Sequence, residues 1–195
     1  MPKKKLVILA SGAGSNALNI LGYFKGTGIA EVVLIASNKK DAGVLDIAAE
    51  FGIKTFLLDK YNFSSGSEFL GLLQELNPDL IILAGFLLKV PENIVAAFPE
   101  KIINIHPALL PKYGGKGMYG HFVHEAVYEN KERETGITIH YVNSHYDEGA
   151  IIFQKRVLID HTDTPASIEA KVRKLEIECF PMQIELLLRS TSINQ

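Results

Sequence analysis

The sequence predicts an α/β protein built on an open, doubly wound and mostly parallel sheet. Three observations carry that expectation. Short apolar, β-branched runs recur along the chain, helical patterns fill the intervals, and the first run is followed by a glycine-rich turn that opens a helix. Apolar runs without alternation mark strands covered on both faces, as in parallel sheets joined by right-handed crossovers.

The runs are KLVILA (Lys5 to Ala10), EVVLIAS (Glu31 to Ser37), KTFLLD (Lys54 to Asp59), LIILAGF (Leu80 to Phe86) and KIINIH (Lys101 to His106). Helices are expected between them at Asn16 to Phe24, Gly43 to Phe51, Ser65 to Leu76 and Pro91 to Phe98, the last with proline at a first-turn position that suits it. After His106 the rhythm changes. The Pro/Gly-rich PALLPKYGGKGMYG leads to a helix near His121 to Asn130. Strands GITIHYV (Gly136 to Val142) and AIIFQKRVL (Ala150 to Leu158) follow, separated by NSHYDEG, and one long amphipathic helix runs from about Thr164 to Arg189. No repeat, low-complexity stretch or linker interrupts this order, so residues 1–195 read as one domain.

With 47% hydrophobic and 22% charged residues in 195, fibrous and disordered classes are excluded. Twenty Lys and Arg against 22 Asp and Glu give a net charge of -2, so neither nucleic acid nor a membrane surface is expected as a partner. An anionic ligand must then be held by a local site. The single Cys179, in KLEIECFP, has no internal disulfide partner and reads as the apolar face of a helix, in keeping with a reducing cytoplasm. The apolar stretch in MPKKKLVILAS is too short for a signal peptide or a span, which makes the sequon Asn62-Phe63-Ser64 read as accidental.

The turn Ser11-Gly12-Ala13-Gly14-Ser15-Asn16 presents backbone N–H groups and a helix N-terminus to an anion. It matches G-x-G-x-x-A loosely, but Ser37-Asn38-Lys39-Lys40 ends the second strand without an acidic residue for a ribose, and the loop lacks a Walker lysine. A phosphomonoester is favoured over NAD or ATP; a tight turn that binds nothing is the alternative. Asn104 and His106 alternate onto one side of the fifth strand at its carboxyl end, a donor pair suited to an oxyanion and to proton transfer. A histidine that merely ends a strand is the bland alternative. Asp147, on the turn between the last two strands, would raise the pKa of an imidazole it met, and by itself is ordinary turn chemistry. His121 and His124 have helical i, i+3 spacing without further metal ligands, and no metal is expected. His140 reads equally as buried and hydrogen-bonded or as a ligand contact, while His145 and His161 lie in polar loops without an evident role.

Taken together, SGAGSN after the first strand, LAGF at Leu83 to Phe86, INIHPALLPKYGG at Ile103 to Gly115, GITIHYV and YDEGAIIFQ strongly resemble the phosphoribosylglycinamide formyltransferase family of purine synthesis. The resemblance runs over essentially the whole chain. It implies a Rossmann-like formyltransferase fold and transfer of the formyl group of 10-formyltetrahydrofolate, as co-substrate, to the amine of 5-phosphoribosylglycinamide. No metal is required, and the chain would be a monomer or homodimer. Carried over residue by residue, the resemblance assigns catalysis to Asn104, His106 and Asp147, the substrate phosphate to Gly14, Ser15 and Asn16, and further substrate contacts to Arg173, Lys174, Leu175 and Glu176. Folate falls to Leu87, Leu88, Lys89 and Val90, to Asn104, and to Asn143, Ser144, His145, Tyr146 and Asp147.

The implied chemistry is direct amine attack, with Asn104 and protonated His106 stabilising the oxyanion and Asp147 raising the His106 pKa. Three departures from the family pattern stand out. Leu88 replaces an arginine found in many members, a second folate-side arginine is missing from NFSSGSEF, and the loop KGMYGHFVHEA is longer than usual. Lys89 replaces arginine only partly, because it lacks the bidentate fork. Within the formyltetrahydrofolate group, the methionyl-tRNA enzyme, with its basic C-terminal domain, and the hydrolase, which usually carries a regulatory domain in front, are not expected from a sequence of 195 residues and net charge -2. A non-catalytic phosphosugar-binding module is the rival of a different class.

Overall fold

A computed structural model describes residues 2–65 and 67–191. The side chain of Asn62, in the sequon, and Gly66, in the expected third helix, lie outside the described residues. Five strands alternate with helices: β1 (Lys4–Leu9), α1 (Ser15–Thr27), β2 (Ala30–Ser37), α2 (Gly43–Glu50), β3 (Thr55–Leu57), α3 (Lys60–Ser65), α4 (Ser67–Leu76), β4 (Leu80–Leu83), α5 (Glu92–Ala97) and β5 (Ile102–His106). Then come α6 (His121–Glu129), β6 (Glu134–Tyr141), β7 (Ile151–Leu158) and α7 (Pro165–Thr191). The described residues form a seven-stranded sheet in the order β3-β2-β1-β4-β5-β6-β7. β1 to β5 are parallel, and β6 and β7 close the edge in antiparallel pairing.

The two buried faces come from strand alternation. Leu6 and Ile8 of β1, Ile82 of β4, and Ile103 and Ile105 of β5 pack beneath α1 and α7. Val7 and Leu9, Ile81 and Leu83, and Ile102 pack on the other face with Phe69, Leu73 and Ile94 of α4 and α5. Asn104 and His106 share the parity of Ile102, so both project on the same side of β5, as alternation requires.

Three elements differ from the sequence expectation. KTFLLD contributes only Thr55–Leu57, because β3 is the sheet edge and has β2 alone to pair with. LIILAGF ends as a strand at Leu83; Gly85, at φ 73°, turns the chain out of the sheet and across its carboxyl end. The interval before β4 holds a separate short helix, α3, that apolar periodicity did not reveal.

Pro181 lies inside α7 and has no N–H for the carbonyl of Ile177. That carbonyl instead accepts from Asn19 Nδ2 of α1 at 2.7 Å. Asn16 Nδ2 and the Tyr23 hydroxyl extend the same seam, donating to Glu176 and Glu185 of α7 at 2.9 and 2.6 Å.

Candidate active site

The sheet order reverses at β1, whose neighbours β2 and β4 send their connections to opposite faces, and a crevice opens at the carboxyl ends there. Ser11 fixes this edge: its hydroxyl donates to Asn38 Oδ1 at 2.5 Å and accepts from the Leu87 N–H at 2.9 Å. A cavity of about 560 Å³ fills the crevice, lined by the turns after β1 and β4, the end of β5, the loop before α6, and α7.

At one end stands the glycine turn. Gly14 caps α1 at φ 83°, and a Cβ there would come within 2.9 Å of Val44 and Ile47 of α2, so only glycine fits. The first turn of α1 carries no acidic residue to oppose an anion. Asn16 donates to Glu176, while its Oδ1 is buried without a partner. Burial pushes the Glu176 carboxyl above its ordinary value against the pull of Asn16 and Arg173. Arg173 is itself paired with Glu169 at 2.8 Å.

At the other end Asn104, His106 and Asp147 converge. His106 is 4% exposed. Its Nε2 lies 2.7 Å from the Tyr113 carbonyl, which can only accept, so the proton sits on Nε2 and the Nδ1 lone pair faces Asp147 Oδ2 at 3.6 Å. Asp147 Oδ2 also accepts from the Gly115 N–H at 2.9 Å. His140, buried on β6, completes the cluster. Its Nδ1 donates to the Tyr141 carbonyl at 2.8 Å, which leaves Nε2 to accept from Asn104 Nδ2 at 3.1 Å. The second Asn104 N–H makes a longer contact, 3.4 Å, with Asp147 Oδ1.

Burial lowers the His106 pKa from its ordinary 6.5, outweighing the upward pull of Asp147 and of the Tyr113 carbonyl. The expectation of an imidazole raised by Asp147 is therefore corrected: the carboxylate acts in the expected direction, but desolvation wins and His106 rests neutral. For Asp147 the balance is opposite. Burial pushes it up, yet the His140 and His106 rings, each attracting the carboxylate once protonated, and the Gly115 N–H hold it below the usual carboxylate range. His124, 4% exposed on α6, is lowered by burial against the pull of Glu169.

The two depressed imidazoles have a consequence for stability. An unfolded chain binds protons near pH 6.5 that the folded one refuses, so the stabilisation is complete above that pH and declines as pH falls toward the depressed values. Tm is expected to fall between about pH 7 and pH 5, and His124→Gln to flatten part of that slope in a calorimetric series. A flat wild-type profile across this window would exclude burial of both rings in the neutral form.

Of the residues assigned to folate by resemblance, Leu87, Asn104, Tyr146 and Asp147 line the cavity. Leu88 and Val90 pack into the core beneath, Lys89 pairs with Glu92 at 3.7 Å, and Asn143, Ser144 and His145 bond among themselves on the outside. On α7, Arg173 and Glu176 face the cavity, whereas Leu175 is core and Lys174 lines a separate outer groove. Gly14, Ser15 and Asn16 line the cavity together. Sequence reasoning missed His140 as a partner of Asn104, along with Tyr113 and Gly115. Their spacing gave no signal, because two act through backbone atoms and the third through the β5–β6 register, which sets Asn104 opposite His140. Among the described residues, no group of three or more His, Cys, Asp or Glu gathers to hold a metal, and no helix is long and apolar enough to cross a membrane.

Comparison with known proteins adds an independent line. The sequence profile of the family described as "Formyl transferase" matches residues 4–184. Chloroplastic phosphoribosylglycinamide formyltransferase of Arabidopsis thaliana is 42% identical over 176 residues, covering 87% of this chain and 60% of that protein. The Haemophilus influenzae phosphoribosylglycinamide formyltransferase is 36% identical over 187 residues, 93% of this chain and 86% of the relative. The chain thus spans about three fifths of the chloroplastic relative's length. Among solved structures, phosphoribosylglycinamide formyltransferase from Anaplasma phagocytophilum superposes with a TM-score of 0.87 at 31% identity, covering 97% of this chain and 89% of that one.

Proposed function

Because this chain belongs to the formyl transferase family, we propose that it transfers the formyl group of 10-formyltetrahydrofolate to the amine of 5-phosphoribosylglycinamide. The observation that carries this reading is the two-ended cavity, with a glycine turn at a helix N-terminus and a buried carboxyl at one end and an amide, imidazole and carboxylate at the other. A phosphosugar with an amine tail has matching polarity. Relatives named for the same reaction support it.

In this reading the backbone of Gly14 to Asn16 and the N-terminus of α1 hold the phosphate, and Glu176 with the unpaired Asn16 Oδ1 takes the sugar hydroxyls. When bound, the formyl folate supplies an activated carbonyl carbon and a nitrogen able to leave. His106, neutral at rest with a free Nδ1, accepts the proton that the attacking amine sheds, and Asp147 across 3.6 Å stabilises the resulting imidazolium. The same proton is then available at Nδ1 for the departing nitrogen. Asn104 turns the weaker of its two N–H contacts, the one to Asp147, toward the developing negative oxygen, while His140 keeps the other fixed.

The decisive measurement mixes the protein with 5-phosphoribosylglycinamide and the formyl folate and follows both products. Formylated substrate and tetrahydrofolate are expected in equal amounts. Formate release independent of the phosphosugar would instead assign a hydrolase, and tight phosphosugar binding without turnover a binding module.

A further inference from the structure

The turn between β5 and α6 grips both reacting-end side chains, and it is itself gripped from outside. On its inner side the Tyr113 carbonyl accepts from His106 Nε2 and the Gly115 N–H donates to Asp147 Oδ2. Gly114, between them, packs so closely that a Cβ would lie 2.6 Å from Leu110 and 3.2 Å from the Asp147 Cβ. On the outer side the Tyr113 hydroxyl donates to Glu132 Oε1 at 2.9 Å, and Lys112 Nζ donates to the same oxygen at 2.8 Å. These bonds hold the Glu132 carboxyl below its ordinary range. Burial and Glu132 push the Tyr113 phenol up to about 12, so it remains a donor throughout the physiological range.

Tyr113 adopts φ 57°, a left-handed conformation that a bulky residue keeps only where its surroundings impose it. Behind it lies a cavity of about 250 Å³ bordered by Leu110, Pro111, Tyr113, Glu132 and Thr135, so close packing does not fully back the turn on that side. Glu132, in the connection between α6 and β6, is the acceptor on which the outer bonds converge.

We propose that Glu132 is a positioning residue: through the Tyr113 hydroxyl it fixes the left-handed turn whose carbonyl and N–H aim His106 and Asp147. Glu132 touches no reacting atom, so its loss acts through geometry. The inference uses the reaction proposed above only for its kinetic readout.

Two measurements test it on the full chain. In an NMR titration, Glu132→Ala and Tyr113→Phe are expected to lower the His106 pKa relative to wild type, because the Tyr113 carbonyl bond that raises it is loosened. In steady-state kinetics both are expected to lower kcat about tenfold with KM for the phosphosugar within about twofold. Glu132→Gln, which keeps the accepting oxygen, restores most of kcat. Wild-type titration and kcat in both Glu132→Ala and Tyr113→Phe would overturn the proposal, even with a lower Tm, since that pattern marks a purely structural contact. Should Glu132→Ala fail to fold, Tyr113→Phe decides alone. Should wild type not formylate the substrate, the reaction is wrong, yet the His106 titration in Tyr113→Phe still decides the anchor.

Discussion

Asp147→Asn is expected to leave the protein folded and to lower kcat by about two to four orders of magnitude. The substitution is nearly isosteric but removes the charge that faces His106 Nδ1 at 3.6 Å. In the proposed reaction His106, neutral at rest, would depend on that charge each time it took a proton, because its surroundings otherwise penalise the imidazolium. The amide also disturbs the cluster's hydrogen bonds. Oδ2 accepts from Gly115 and Oδ1 from Asn104; asparagine keeps a single oxygen, so one of these two donors loses its acceptor and faces an NH2 group instead. The loss therefore falls on kcat more than on phosphosugar KM, which belongs to the other end of the cavity. His106→Asn should match it and the double variant add little, as for groups that act as one unit. Wild-type turnover in either single variant, with Tm unchanged, sinks the assignment of both residues.

Gly149→Ala carries the largest expected effect on stability. A Cβ there would fall 1.7 Å from the Tyr141 carbonyl oxygen and 2.7 Å from its carbon. Backbone atoms cannot swing aside as a side-chain tip does, so β6 and β7 must part where Tyr141 N–H bonds the Ala150 carbonyl. Overpacking of this kind costs about 2–3 kcal/mol, a fall in Tm of about 5–10 °C for a chain of this length. Activity should fall as well, because the strand that parts carries His140, the partner of Asn104. Gly71→Ala in α4 is the matched control: its Cβ meets nothing within 4 Å, and helix propensity favours alanine. Equal Tm values for the two variants in a thermal melt would contradict the close approach at Gly149.

The sheet was legible because its signal is local. Leu6 to Leu9 and Leu80 to Leu83 are apolar at every position, and only burial on both faces explains that. Strand parity alone put Asn104 and His106 on one side. The antiparallel pairing that brings His140 opposite Asn104 is set by the sheet's closing edge, for which GITIHYV contains no cue beyond a strand. The His106 titration was misjudged for a related reason. A carboxylate is visible as a letter in the sequence, whereas the desolvation that outweighs it comes from elements far apart in the chain. Tyr113 and Gly115 were invisible as site residues because backbone atoms, common to every residue, do the work. Leu88, Lys89 and Val90 show the converse: a segment matched by motif sends into the cavity only the residue before it, Leu87.

The proline in α7 bears on how the two walls of the cavity at its glycine-turn end keep their distance. A helix resting on another can slide by a turn at modest cost, since one apolar ridge resembles the next. Pro181 removes that freedom. It bares the Ile177 carbonyl, and Asn19 of α1 meets that carbonyl in one register alone. The same register sets Glu176 against Asn16, one turn of α1 before Asn19. A residue usually counted as a helix breaker thus acts as an indexing mark, setting the span between the glycine turn and the carboxyl across from it before any ligand arrives.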